Sequence, residues 1–125
     1  MNEFRVAVIG AGETGTPLLK QLLESGFIKV LGVADLDLAM PGIALAQKHG
    51  VMVTSNFMEL AAFGKDVDVI VDVTGAPKVR EALRKHMVET GNNHTLIMHE
   101  RIALMMMSLS AGQLVTVKHE SLDYK

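Results

Sequence analysis

The stretch Val6-Ala7-Val8-Ile9-Gly10-Ala11-Gly12-Glu13-Thr14-Gly15 decides the fold of this 125-residue chain. An apolar run typical of a buried strand leads directly into glycines spaced G-x-G-x-x-G, and a helical pattern follows. We expect Gly10 to permit a sharp turn, Gly12 to leave room beside the backbone, and Gly15 to let the helix lie close to the strand. The amides at the start of that helix would then face an anion such as a dinucleotide pyrophosphate.

A second apolar run supports this interpretation. It covers residues 27–34 and ends at Asp35, twenty positions after Gly15. A carboxylate in this position can accept hydrogen bonds from the hydroxyls of the adenosine ribose. The same charge repels a 2′-phosphate, and the next residue is Leu36 rather than an arginine. The sequence therefore favours NAD over NADP as the cofactor.

Strand-like and helical segments alternate five times along the chain. This alternation predicts an α/β fold of three layers, a doubly wound parallel sheet of the Rossmann type with five or six strands. The predicted strands are residues 4–9, 27–34, 51–54, 67–73 and 95–98, with 114–117 as a candidate sixth. The first predicted helix directly follows the glycine stretch, and four more cover residues 41–49, 56–63, 77–90 and 100–110. The helix at 56–63 is opened by the capping-box spacing of Asn56 and Glu59. We assign residues 1–112 to a dinucleotide-binding domain and 113–125 to a tail or the start of a linker to a domain not present.

Ligands of doubly wound folds bind at the carboxyl ends of the strands. Three segments of the sequence fall at those ends: the glycine stretch, Asp35, and the loop Thr74–Pro77. Their convergence is stronger support for a nucleotide site than any one motif.

Composition excludes several other classes. A net charge of −2 argues against binding to nucleic acid or an anionic membrane. The absence of cysteine excludes disulfides, thiolate nucleophiles and cysteine metal sites, and it suits the cytoplasm. We find neither an apolar segment of membrane-spanning length nor a signal peptide.

With these elements placed, residues 4–105 resemble the N-terminal nucleotide-binding domain of the glucose-fructose oxidoreductase/inositol dehydrogenase family. The chain is also similar to the corresponding domain of dihydrodipicolinate reductases. The resemblance depends on the glycine stretch, on Gly32-Val33-Ala34-Asp35, and on Val69-Ile70-Val71-Asp72-Val73-Thr74-Gly75-Ala76-Pro77. It implies that Asp35 binds the adenosine ribose and that the last segment runs along the pyrophosphate or nicotinamide ribose. The cofactor-binding residues implied are Gly10, Ala11, Gly12, Glu13, Thr14, Gly15, Asp35, Thr74, Gly75, Ala76 and Pro77.

The chain departs from this family where the chemistry is expected. The family usually carries Glu-Lys-Pro after the fifth strand, whereas this chain has Glu100-Arg101-Ile102. Arginine stays protonated at physiological pH, so it can orient a substrate but is a poor proton shuttle. The family's substrate domain also has no counterpart in 125 residues. We therefore expect no catalytic residue here, and any oxidoreductase activity would require a second domain.

Five interpretations of function follow. The leading one is an NAD-binding domain of an oxidoreductase-like or regulatory protein. The second is the cofactor half of a full-length dehydrogenase, and the third is a nucleotide-sensing domain of a bacterial signalling protein. The others are a binder of another adenine ligand, such as S-adenosylmethionine or coenzyme A, and a structural dimerisation module. The run Met105-Met106-Met107 is read as helix packing or as the interface of a homodimer.

The remaining polar residues point to no separate site. His94 and His99 are spaced so that they cross from a strand into a helix, which disfavours a shared metal, and we expect none. Asp68 and Asp72 lie near the two ends of one predicted strand. We interpret them as carboxylates that face solvent or cap a neighbouring segment rather than as a catalytic pair.

Overall fold

The computed structural model describes residues 2–116, and its framework is one parallel sheet with helices on both faces. The strands are β1 (Phe4–Ile9), β2 (Ile28–Ala34), β3 (Val53–Thr54), β4 (Val69–Asp72) and β5 (Leu96–His99). The helices are α1 (Gly15–Glu24), α2 (Pro41–Lys48), α3 (Met58–Ala61), α4 (Pro77–Thr90) and α5 (Glu100–Ala111), and a 3₁₀ turn covers Gly64–Asp66.

The strand order is β3-β2-β1-β4-β5, and every neighbouring pair is parallel. The chain runs outward from β1 to β3 and then crosses back to β4 on the other side of β1. The register places Ile9 opposite both Ala34 and Asp72, and Asp72 opposite His99. The carboxyl ends of four strands therefore lie level, and the glycine turn that follows β1 lies at the switch point between β1 and β4. The predicted doubly wound fold is confirmed.

Two apolar layers enclose the sheet because its central strand is buried on both faces. Alternate residues of β1 point to opposite sides, with Val6 and Val8 on one and Ala7 and Ile9 on the other. The first layer includes Leu18, Leu19, Ile43, Ala46, Ala103 and Met107 of α1, α2 and α5. The second includes Leu60, Ala61, Val79 and Leu83 of α3 and α4.

Two predicted strands are shorter in the structure than in the prediction, and the candidate sixth strand does not form over residues 114–116. The predicted third and fourth strands shorten to Val53–Thr54 and Val69–Asp72, the residues that are in register with a neighbouring strand. Single backbone hydrogen bonds of Met52, Asp68 and Val73 extend this pairing without lengthening the strands. Residues 114–116 form no strand, and position 117 lies outside the described residues. Instead, the Val115 amide donates to Ser108 Oγ at 2.9 Å, which turns the chain back onto α5 after Gly112.

The hydrogen bonds at the start of the helix predicted at 56–63 differ from those of the predicted capping box. Asn56 Oδ1 accepts a hydrogen bond from the Met58 amide at 3.1 Å, as a residue that opens a helix should. The Glu59 carboxylate, however, accepts the hydroxyl of Thr54 at 2.7 Å rather than an amide of Asn56. The reciprocal capping box is therefore wrong, because the nearby end of β3 offers Glu59 a stronger partner.

An apolar stripe on α5 faces solvent. Ile102, Met105, Met106 and Leu109 are exposed and recur at helical spacing, whereas Met107 is buried in the first layer. The packing role predicted for the methionine run therefore applies to Met107 alone. None of the helices within residues 2–116 is both long and apolar enough to cross a membrane.

Candidate functional site

The glycine turn has the close packing that the motif predicts. Gly10 has φ +109°, a conformation that L side chains rarely adopt, and a Cβ there would lie 2.8 Å from Val73 Cγ2. A Cβ on Gly15 would lie 2.0 Å from the Gly10 carbonyl oxygen. Both glycines are therefore required by the fold itself, one by its backbone conformation and the other by the approach of α1 to β1.

Gly12 differs from these two glycines because it is open. The nearest atom to a Cβ at Gly12 is Met40 Sδ, at 4.0 Å, so packing within the chain does not require a glycine here. Among residues 2–116, no side chain caps the start of α1. In the part of the chain that the structure describes, the amides of Gly12, Glu13 and Thr14 have no hydrogen-bond partner. The turn thus presents free donors beside an uncovered backbone, which suits a phosphate oxygen.

Asp35 lies against this turn, as predicted, and it is only 4% exposed. Its Oδ2 accepts the Ala11 amide at 2.8 Å, and its Oδ1 accepts the Asp37 amide at 2.9 Å. The carboxylate therefore ties the end of β2 to the glycine turn. The Ala11 amide is thereby engaged within the chain, so the amides left to face an anion at the start of α1 are those of residues 12–15.

The start of α2 also packs on the turn, a contact that the sequence reasoning missed. The Gly42 amide donates to the Ala11 carbonyl at 2.9 Å, and a Cβ on Gly42 would lie 2.8 Å from Ala11 Cβ. Thr16 Oγ1 donates to the same carbonyl at 3.0 Å. The glycine directly after Pro41 was the available signal, since a glycine inside a helix often marks a close backbone approach.

The loop after β4 is shaped by Asp72. Its Oδ1 accepts both the amide and the hydroxyl of Thr74, at 2.9 and 2.6 Å, and Thr74 Oγ1 accepts the Ala76 amide at 3.2 Å. Gly75 has φ +65°, and α4 begins at Pro77. The loop Thr74–Pro77 therefore has a defined conformation beside the glycine turn. The spacing Asp-x-Thr, a common turn pattern, could have predicted it.

His99 ends β5 directly beside Asp72. The distance from His99 Nδ1 to Asp72 Oδ2 is 3.8 Å, and this nitrogen is buried with no hydrogen-bond partner among residues 2–116. Arg101, which replaces the lysine of the resembling family, is exposed in the first turn of α5.

A second polar cluster lies at the opposite, amino edge of the sheet. Asp68 accepts the backbone amide of Arg5 at 2.9 Å, its guanidinium at 3.3 and 3.4 Å, and faces His94 Nε2 at 2.8 Å. The Arg5 amide, then His94, then the Arg5 side chain hold the pKa of Asp68 well below its usual range. Asp68 also raises the pKa of Arg5, chiefly through their side-chain hydrogen bond. An open depression of about 390 Å³ adjoins this cluster.

Asp68 and Asp72 thus serve different ends of the sheet. Both cap neighbouring segments, as one predicted alternative has it, but they are 6% and 3% exposed, so the alternative that they face solvent is wrong. His94 and His99 likewise approach different carboxylates at the two ends of β5. Within the described residues, no group of three or more His, Asp or Glu side chains is arranged to hold a metal ion.

A G-x-G-x-x-G turn at the switch point of a β3-β2-β1-β4-β5 sheet, with an acid at the end of β2, defines a nucleotide-binding Rossmann domain of the dehydrogenase type. Comparison with known proteins leads to the same class. The family profile of shikimate/quinate 5-dehydrogenase matches residues 1–110, and the chain belongs to this family.

Individual relatives are dehydrogenases. The chain is 32% identical over 75 residues to an acetaldehyde dehydrogenase of Carboxydothermus hydrogenoformans, a match that covers 60% of this chain and 25% of the relative. Among solved structures, GenD2 from gentamicin A biosynthesis, in complex with NAD, is 27% identical with a TM-score of 0.59 and covers 78% of this chain and 27% of that one. A myo-inositol dehydrogenase of Corynebacterium glutamicum is 25% identical with a TM-score of 0.56, over 76% and 27% of the two chains. The chain thus spans between a quarter and a third of the length of these proteins.

Proposed function

We propose that this chain binds NAD across the carboxyl edge of its sheet, with the pyrophosphate on the amides of residues 12–15. The observation that carries the proposal is the buried Asp35 carboxylate, hydrogen-bonded to the Ala11 amide at 2.8 Å next to the open face of Gly12. This contact would hold the carboxylate for the ribose next to the amides for the phosphate. The adenosine ribose would lie on Asp35, and Thr74, Gly75, Ala76 and Pro77 would line the other half of the site.

Charge at the end of β2 supports NAD over NADP. Asp35 accepts the Ala11 amide on one carboxylate oxygen and the Asp37 amide on the other, and each oxygen has a further lone pair for a ribose hydroxyl. A 2′-phosphate would meet this buried negative charge, and the neighbouring Leu36 supplies no cation to neutralise it. GenD2, one of the solved structures similar to this chain, was crystallised with NAD.

Calorimetric titration of the chain with NAD⁺, NADH and NADP⁺ tests the proposal. We expect heat of binding from NAD⁺ or NADH and much weaker binding of NADP⁺. Thermal-shift measurements with S-adenosylmethionine and coenzyme A run in parallel, because a bound ligand raises the Tm. Stabilisation by either of these, with none by the dinucleotides, would replace the proposed ligand.

Gly12 offers a probe of the site that leaves the fold intact. The change Gly12→Ala adds a methyl group 4.0 Å from its nearest neighbour, so the Tm should stay within about 2 °C, while NAD affinity should fall about tenfold or more because the methyl occupies the phosphate position. Gly26→Ala is the matched control, since a Cβ there would meet no atom of the described residues within 4 Å and Gly26 lies after the far end of α1. Equal loss of affinity in both variants would contradict the assignment.

We further propose that residues 1–112 are the cofactor half of a longer dehydrogenase, with residues 113–125 leading toward a substrate domain. The lengths of the relatives support this, and the myo-inositol dehydrogenase similarity supports the narrower assignment to the glucose-fructose oxidoreductase/inositol dehydrogenase type. Homodimerisation and a cytoplasmic location stay predictions. The parent gene is the test: a sensor domain following Lys125 would favour the nucleotide-sensing alternative instead.

A further inference from the structure

The outer face of α5 is apolar, and in the part of the chain that the structure describes nothing covers it. We call this face the α5 stripe, and its four side chains are between 45 and 73% exposed: Ile102, Met105, Met106 and Leu109. Ala103 and Met107 lie on the other side of the same helix and are buried in the first apolar layer. The helix therefore has two apolar faces, of which only one packs on the sheet.

The helix α4, which packs on the other face of the sheet, has the outer surface usual for a helix in water. Six of its exposed residues are charged: Lys78, Arg80, Glu81, Arg84, Lys85 and Glu89. In α5, by contrast, the only charged residues are the first two, Glu100 and Arg101. A contiguous exposed apolar patch is typical of a contact with another protein surface. The α5 stripe is therefore a candidate contact surface.

The positions of the four side chains are symmetric along the helix. Ile102 and Leu109 lie equally far from the midpoint between Met105 and Met106. Successive residues of a helix are rotated by about 100°, so the four side chains also fall within one arc of roughly 100°, centred on that midpoint. A two-fold axis through the midpoint would pack two antiparallel copies of α5 with Ile102 opposite Leu109 and Met105 opposite Met106. The stripe is thus complementary to itself.

Charge at the ends of α5 favours the same antiparallel arrangement. Arg101 is exposed in the first turn, where the positive end of the helix dipole disfavours a cation. The last turn has no basic residue, although the carbonyl groups there carry partial negative charge. The same two-fold axis brings Arg101 of one copy beside Ser110 in the last turn of the other. Each copy would thus supply the cation that the end of the other helix lacks.

We propose that the α5 stripe binds a second copy of this chain in an antiparallel, two-fold symmetric pair of helices. Because the same surface is used by both copies, the association closes at a dimer. The stripe exposes a few hundred Å² per copy, less than the roughly 800 Å² that each partner contributes to a stable interface. The dimer is therefore weak and reversible, with a Kd on the order of tens of micromolar. This inference does not depend on the nucleotide site.

Sedimentation equilibrium of the 125-residue chain over about 5 to 500 μM tests the inference. We expect the mean mass to rise from that of a monomer toward that of a dimer and no further. Met106→Glu brings two like charges close to the two-fold axis and should raise the Kd at least tenfold. A monomer at every concentration would overturn the inference and favour coverage of the stripe by the substrate domain proposed above. Species larger than a dimer would overturn it too, because a symmetric contact cannot continue beyond two copies.

Two charge changes test which residues face each other. Ile102→Glu and Leu109→Lys each place a charge opposite an apolar side chain, so each alone should raise the Kd at least tenfold. In the double variant the two opposite charges face each other between the copies, and most of the lost affinity should return. Within one helix they are seven residues, or about 10 Å, apart and do not pair. Failure of the double variant to recover affinity would overturn the antiparallel register.

Two further variants separate the contact from an effect on folding. Val88→Glu is the matched control, because Val88 is 76% exposed but belongs to α4 on the other face of the sheet, so the Kd should not change. Arg101→Glu suits the dipole of its own helix, so the Tm of the dilute monomer should not fall, whereas the Kd of the dimer should rise about threefold. A weaker dimer in Val88→Glu, or an unchanged one in Arg101→Glu, would contradict the assignment.

Discussion

The two edges of the sheet each bury aspartate, but they use it differently. At the amino edge, Asp68 is surrounded by the amide and guanidinium of Arg5 and by His94 at 2.8 Å, so its charge is neutralised within the protein. At the carboxyl edge, Asp35 and Asp72 accept backbone amides and a hydroxyl, and neither has a bonded cation among the described residues. A neutralised carboxylate stabilises the fold, whereas an unneutralised one retains a field that can act on a ligand.

The largest change in stability is expected from a substitution that disturbs backbone packing at the carboxyl edge. Gly15→Ala places a Cβ 2.0 Å from the Gly10 carbonyl oxygen, and this contact can be relieved only by moving α1 away from β1. We expect a loss of about 3 kcal/mol in the free energy of unfolding and a Tm lower by roughly 10 °C or more, measured by calorimetry. A Tm equal to that of Gly12→Ala would show that the two glycines are not distinct in the way the geometry indicates.

A smaller effect, with a pH signature, is expected at the amino edge. Because the pKa of Asp68 is lowered from its ordinary value of 3.8, its contribution to stability is present above about pH 4 and is lost as the pH falls through the folded-state pKa. Asp68→Asn should lower the Tm by several degrees at pH 7 and by progressively less below pH 4. The control is Asp66→Asn, since Asp66 is 84% exposed and lies 3.8 Å from Arg5. If the two variants had the same dependence of Tm on pH, the hydrogen bonds of Asp68 with Arg5 and His94 would not be the source of its contribution to stability.

The last expected effect is a change in cofactor specificity, from Asp35→Asn. An asparagine has one acceptor oxygen where Asp35 uses two, so the amide of Ala11 or of Asp37 loses its acceptor and the Tm should fall by several degrees. The repulsion of a 2′-phosphate is removed by the same change. The ratio Kd(NADP⁺)/Kd(NAD⁺) should fall about tenfold in competitive titrations. The same change at Asp68 serves as the comparison, and it should leave the ratio unaltered because that residue lies at the other edge. An unaltered ratio in Asp35→Asn would remove the role given to this carboxylate.

Local sequence patterns were sufficient to predict most of the strands and helices of the fold. The bounds Phe4–Ile9 and Pro77–Thr90 agree with the predicted strand and helix, because a continuous apolar run and a proline-opened, glycine-closed helix are signals within the segment itself. The two-residue β3 was predicted too long because strand length depends on how far the partner strand extends.

The sequence by itself determined the class of this protein: alternating strands and helices, the glycine spacing and Asp35 predict a nucleotide-binding Rossmann domain, because each depends on residues close together in the chain. Only the tertiary structure decided which donors each carboxylate meets. Asp68 directly precedes β4 and Asp72 ends it, yet Asp68 contacts Arg5 and His94, whereas Asp72 faces His99. These three partners are brought close by the crossover that places β4 between β1 and β5, and no local pattern encodes that neighbourhood. The contact of Asp72 with Thr74, by contrast, is local and could be predicted from the Asp-x-Thr spacing.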